Sequence, residues 1–269
     1  MKRFLSALTL AATAFLLQSV SFAQPAAPFD SGETLEYEGK VSKIIQGIAV
    51  ADLTFTVERA ADRDFLIKAE AKSKGTLLKL FRFSFLQKFE STIDDKDFRV
   101  IKTVKQDIQK DRVRDSEALF DYGDKRVTWT EVDPKDPMRA PRKIASEIEG
   151  TTHDLVSGVY SLRMLPLGVG KTFNLKVSDS GLVYSVPVKV TGRELQKTEI
   201  GRVMCFRVEP EVFGPGRLVE SEGKMVIWIT DDARRIPVRS QVNSSIGKID
   251  IKIKSVSTKP PVTQTAIKN

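Results

Sequence analysis

The stretch "SEALFDYGDKRVTWTEV", residues 116–132, holds two runs of strand character on either side of Tyr122–Lys125, where glycine and aspartate mark a turn. Residues of this kind on either side of a short turn make a β-hairpin. Outward from it the same signal repeats. Leu35, Tyr37 and Gly39 alternate with Glu36, Glu38 and Lys40, and "VADLTFTVERA" and "DFLIKAEAKS" continue the pattern. Further on come "TFNLKVS", "LVYSVPVKVTGREL", "GRVMCFRVEPEV", "KMVIWIT", "IPVRSQV" and "KIDIKIKSV", divided by turn signals such as "DSG", "EIG" and "DDARR". Period-two alternation with short turns predicts antiparallel neighbours, and no regular exchange of strand and helix intervenes. The expected fold is mostly β: a curved antiparallel sheet or half-open barrel of about eleven strands, with one short helix near residues 152–165 packed on it.

The chain of 269 residues opens with Lys2 and Arg3, an apolar run from Phe4 to Leu17, and small residues at Ser21 and Ala23. This is the pattern of a secretory signal peptide, expected over 1–23, and its apolar run is too short for a membrane span. A linker over 24–32, a single β-rich domain over 33–257 and a disordered tail over 258–269 complete the expected organisation. Export to the periplasm of a Gram-negative-type bacterium is the expected localisation. Loss of Lys2 and Arg3 lowers the formal charge of +8, yet the chain stays basic. Its basic residues are dispersed among acidic ones, as in "QDIQKDRVRDSE", which argues for a solvated surface and against nucleic acid. Cys205 is the sole cysteine, so no internal disulfide is available. Between Met204 and Phe206 it reads as a small buried hydrophobe.

Two stretches depart from the strand pattern. "GTLLKLFRFSFLQKF", residues 75–89, is dense in Leu and Phe, fits helix or strand, and serves either as core or as a lip over an apolar ligand. Its candidate contacts are Leu78, Phe81, Phe83 and Phe85. The other is "THDLVSGVYSLRMLPLGVGKTF", residues 152–173. Thr151 with Asp154 makes a plausible helix start, and Pro166 stops the helix. At about 100° per residue, Leu155, Val156, Val159, Tyr160 and Leu162 share one arc, with Asp154, Ser157 and Ser161 opposite. Arg163 falls inside the apolar arc. It is either a buried ion pair with a carboxylate of the facing sheet or a donor to a ligand headgroup beside Tyr160.

The apparent catalytic motifs fail on spacing. Gly170-Lys171-Thr172 has Leu165 where a phosphate loop needs glycine, and its flanking elements are in reverse order. Ser157 has Leu155 and Val159 where a nucleophile elbow needs glycines. One histidine and one cysteine cannot build a zinc site, and Asp231 with Asp232 lacks the spacing of a calcium loop. No catalytic residue, metal or other cofactor is expected.

Longer stretches, "GETLEYEGKV", the helical segment above, "VPVKVTGREL" with "TEIG", and "VIWITDDARRIPVRSQVNSSIGKI", resemble the bacterial family known as domain of unknown function 3108. The resemblance spans Phe29 to Val256 and is carried by Gly32, Glu33, Tyr37, Asp154, Ser157, Tyr160, Arg163, Gly192, Glu194, Gly201, Trp228, Asp231, Asp232, Pro237 and Gly247. It implies an exported envelope protein and transfers no catalytic residue. More loosely, the strand series with a helix against it is similar to lipoprotein-carrier folds, in which a curved sheet wraps an apolar groove. The leading expectation is therefore a non-enzymatic periplasmic protein that binds a lipid or other amphiphile. The alternatives are an envelope module that binds a protein or polymer, and a hydrolase of unfamiliar design using His153 or Asp231 and Asp232.

Overall fold

A computed structural model describes residues 27–42, 47–60, 64–244 and 247–258. The expected signal peptide and nearly all of the expected tail lie outside the described residues. The N-terminal half holds β1 (Glu33–Ser42), β2 (Ile48–Arg59), β3 (Phe65–Ser73), α1 (Gly75–Phe81), β4 (Phe85–Ile93), β5 (Val100–Gln109), β6 (Arg112–Asp121), β7 (Arg126–Val132) and β8 (Arg142–Glu147). The C-terminal half holds β9 (Thr152–His153), α2 (Leu155–Met164), β10 (Thr172–Asp179), β11 (Leu182–Thr198), β12 (Gly201–Pro210), β13 (Gly223–Thr230), β14 (Pro237–Ser244) and β15 (Gly247–Thr258).

Among the described residues all fifteen strands belong to one sheet, in the order β8-β7-β6-β5-β4-β3-β2-β1-β15-β14-β13-β12-β11-β10-β9. Each half is a meander, and the first and last strands pair antiparallel in the middle of the sheet, with Leu35 opposite Val256 and Tyr37 opposite Ile253. Only the two-residue β9 runs parallel to its neighbour. The hairpin that opened the sequence reading forms as expected: Asp121 Oδ1 accepts from the Gly123 and Asp124 amides at 2.9 Å, turning the chain between β6 and β7.

The sheet must curl. Laid flat, fifteen strands would span about 67 Å at the usual interstrand spacing. Yet its two terminal strands are joined by the chain from Glu147 to Thr152, which reaches at most about 19 Å. The edges accordingly approach each other: Ser146 Oγ on β8 donates to the Gly181 carbonyl of the β10–β11 turn at 2.7 Å. The sheet stays open, because β8 and β9 are its unpaired ends.

Helix α2 lies inside the curl. Val156 and Tyr160 pack with Val57, Ile67, Ile93 and Val100 of the first half, while Leu162 packs with Val177, Val188 and Ile227 of the second. The expected polar face is buried as well, including Ser157 and Ser161. Those hydroxyls are satisfied within the helix, Ser157 Oγ by the Asp154 amide and Ser161 Oγ by the Gly158 carbonyl.

Several expectations need correction. The strands number fifteen among the described residues rather than about eleven, because β5, β8 and β9 had no apolar alternation to announce them and β4 begins inside the stretch left open between helix and strand. The described residues hold two helices rather than one, the ambiguous stretch being helical to Phe81 and extended from Phe85. The helix start lies at Asp154 rather than Thr151, since Thr152 and His153 pair with β10.

Candidate functional site

Two hollows flank α2 within the curl, and their chemistries differ. The first, about 220 Å³, lies at the helix N-terminal end, against the inner faces of β4 to β8 and the end of β10. Its walls carry Lys105, Asp107, Arg112, Arg114, Glu131 and Arg142 beside Phe89 and Trp129. Burial pushes the Asp107 carboxyl up, but hydrogen bonds from Gln87, Gln109 and Arg112 outweigh it and hold the group below its ordinary range. Arg114 pairs with Asp133 at 2.5 Å. Lys105 and Arg142 instead lie over the Phe89 and Trp129 rings, at 4.9 and 5.7 Å.

The helix end above this basin is closed by its own cap. Asp154 Oδ1 accepts from the amides of Val156 and Ser157 at 3.0 and 2.7 Å, while Oδ2 accepts from Thr103 Oγ1 at 2.6 Å and from Ser91 Oγ. With Ser157 Oγ accepting from the Asp154 amide, the capping box is complete. Asp154 thus ties the helix to the inner faces of β4 and β5. His153, just before it, is buried with Nδ1 unpartnered among the described residues, and burial lowers its pKa to about 4.

The second hollow, about 160 Å³, runs along the helix at Val159, Tyr160 and Arg163. Leu35, Tyr37, Leu53, Phe55, Met225, Ile227 and Ile251 form its apolar walls. These side chains come from β1, β2, β13 and β15, so the cleft exists only because the two halves of the chain meet at β1 and β15.

Arg163 is 1% exposed and forms the ion pair that was one of its two sequence readings. Its guanidinium binds Glu33 in bidentate fashion, Nη1 to Oε1 at 2.6 Å and Nη2 to Oε2 at 2.8 Å. Nη2 also donates to the carbonyls of Pro28 and Arg234 at 3.1 and 2.9 Å. The group lies 5.0 Å from the Phe29 ring and 5.1 Å from the Tyr160 ring. Tyr160, also 1% exposed, meets Phe29 edge to face at 5.0 Å. Burial first, and Glu33 second, raise its hydroxyl above the ordinary tyrosine value.

The structure thus brings Tyr160 and Arg163 to one cleft and leaves the Phe-rich stretch away from it. Leu78 is half exposed on α1, the Phe83 and Phe85 rings meet tilted at 6.3 Å, and none of the three lines either hollow. The side chain of Phe81 lies outside the described part. Asp231 and Asp232 sit on the β13–β14 turn, bound to Arg193, Arg235, Thr230 and Arg234, and line neither hollow. His153 is likewise absent from both walls. Gly170 and Lys171 form the turn into β10, with Lys171 Nζ donating to the Pro166 carbonyl at 2.9 Å. Cys205 is buried on β12, its thiol pushed up by burial to about 12.

Sequence reasoning missed the polar basin. Asp107, Arg112 and Arg114 sit in the stretch read as solvated surface, and the signal there was the placement of charges two apart, Lys105 with Asp107 and Arg112 with Arg114, on strands β5 and β6.

A crystal structure of a β-barrel-like protein of domain of unknown function DUF1849 from Brucella abortus superposes with a TM-score of 0.58 at 9% identity, covering 84% of this chain and 97% of that one. A putative exported protein with a YmcC-like fold from Bacteroides fragilis matches at a TM-score of 0.34 and 10% identity, over 86% of this chain and 98% of that one. No curated protein shows significant similarity. Several residues of the sequence motif are contact partners in the fold: Glu33 with Arg163, Asp154 with Ser157, Tyr37 Oη donating to the Pro237 carbonyl at 2.8 Å, and Trp228 Nε1 donating to Glu194 at 2.7 Å. The model of the protein family of unknown function DUF3108 matches residues 36–254, and the chain belongs to that family.

Proposed function

We propose that this is an exported, non-enzymatic envelope protein of the periplasm that binds an amphiphilic or apolar ligand against α2. The apolar cleft of about 160 Å³ carries the reading, because nearly its whole wall is hydrocarbon and aromatic surface from five strands and one helix. The basic leader-like start of the sequence supports export. The test is gentle purification from a periplasmic extract, native mass spectrometry for bound lipid, and titration with the apolar dye phenylnaphthylamine. Uptake by the wild type and its loss in Val159→Trp, which fills the cleft from the helix side, is the expected result. No bound lipid together with no dye uptake overturns the reading.

A second reading, docking of an envelope protein, has support in β8, a terminal strand of the sheet with exposed Arg142, Lys143, Ala145 and Glu147. Crosslinking in cells that captures one dominant protein while the cleft proves inert to dye and lipid would favour it.

A further inference from the structure

Three polar atoms of the apolar cleft's own wall residues stand without a hydrogen-bond partner among the described residues: Tyr160 Oη, Arg163 Nε and Ser240 Oγ. Buried polar groups are almost always paired, so three orphans at one site are unusual. All three carry a proton to donate, and Arg163 Nε can do nothing else. The chemistry they share is a demand for an oxygen acceptor.

The charges at the same wall say which kind. Arg163 is neutralised by Glu33, with oxygens of that carboxylate on both Nη1 and Nη2. Arg239, the other cation of the wall, is held by Asp250 at 2.6 and 3.1 Å. An anionic headgroup would bring a further negative charge into an apolar setting in which both cations already have counter-charges, and that is costly. A cationic headgroup would meet the like charges of Arg163 and Arg239 and an Nε–H that cannot accept.

We infer that the cleft selects an uncharged amphiphile whose polar end is an ester or amide carbonyl, received by Tyr160, Ser240 and the Nε–H of Arg163. The inference rests on the ligand-binding reading above and departs from the simplest use of a buried arginine, which is to bind an anion. The carbonyl end sits between α2 and Ser240 of β14, and the alkyl end lies along Leu35 and Leu53.

The test compares methyl octanoate, octanoate and octane as displacers of phenylnaphthylamine at pH 8, where octanoate is fully ionised. The ester is expected to displace the dye at about tenfold lower concentration than the carboxylate. The double variant Tyr160→Phe, Ser240→Ala is expected to weaken the ester about tenfold, as two hydrogen bonds of ordinary net strength imply, and to leave octane unchanged. Tyr160→Phe by itself should not lower the melting temperature, since it removes a hydroxyl with no partner. A lowered melting temperature would mark the hydroxyl as structural. Octanoate as the tightest of the three, or equal loss of ester and octane in the double variant, overturns the inference while leaving ligand binding intact. Failure of the dye and of all three compounds to bind removes the ligand-binding reading itself.

Discussion

Arg163 and Glu33 stand 130 positions apart in the chain and meet inside the curl of the sheet, each nearly inaccessible to solvent. Removing one member of such a pair leaves a buried charge without compensation. Arg163→Met is therefore expected to lower unfolding free energy by about 3 to 5 kcal/mol, measured by urea denaturation. The double variant Arg163→Met, Glu33→Met should recover much of that loss, because an apolar pair of similar volume avoids the desolvation cost. His153 gives a pH signature. Burial lowers its pKa to about 4 from the ordinary 6.5, so the folded protein holds it neutral while the unfolded chain takes up a proton below about pH 6.5. Stability should then fall as pH drops from 6.5 to 4, by up to about 3 kcal/mol at the acid end. The urea midpoint of His153→Leu, compared at pH 7 and pH 5, should show a shallower slope than that of the wild type. The sequence marked Arg163 as out of place on its helix and allowed a buried ion pair. It could not say that Glu33 was the partner, because nothing local relates the two residues.

At the scale of elements, α2 shows how one residue anchors a helix. Asp154 caps the first turn and also accepts from Ser91 and Thr103, both buried on neighbouring strands. Asp154→Ala loses the cap, about 1 kcal/mol, and leaves two buried hydroxyls unpaired, at about 1 to 3 kcal/mol more. A total near 3 kcal/mol is expected in denaturant melts. Asp154→Asn, which still accepts hydrogen bonds, should lose less. The helix was legible from its apolar arc and its stop at Pro166. Its start was read three residues early because Thr151 offers the same cap chemistry as Asp154. The strands of the second half from β10 onward were legible because they carry an apolar face. Strand β5 was not, since its inner face presents Thr103, Lys105 and Asp107 to a polar basin and the hydrophobic alternation disappears.

At the scale of the molecule, the two edges of the sheet meet without pairing, and the contact is made by the β10–β11 turn against β8. Ser180 and Gly181 both have positive φ, 51° and 81°, as a two-residue hairpin turn requires. A Cβ on Gly181 would stand 2.8 Å from Ile144 Cβ and 2.9 Å from the Ile144 carbonyl. Gly181→Ala should therefore both strain the turn and push the seam apart, lowering the melting temperature by several degrees. Hydrogen exchange should show β8 losing protection while β1 and β15, at the middle of the sheet, keep theirs. The residue sequence by itself determined the mostly β class, the antiparallel meander, the place of the helix, the burial of Cys205 and the failure of each catalytic motif. These follow from periodicity, turn chemistry and spacing, which are local. Only the tertiary structure decided that α2 lies inside the curl of the sheet, that Glu33 answers Arg163, and that one end of the helix faces a charged basin while its flank faces an apolar cleft. Each of those depends on the first and last strands pairing side by side, a contact between residues more than 200 positions apart that no local pattern encodes.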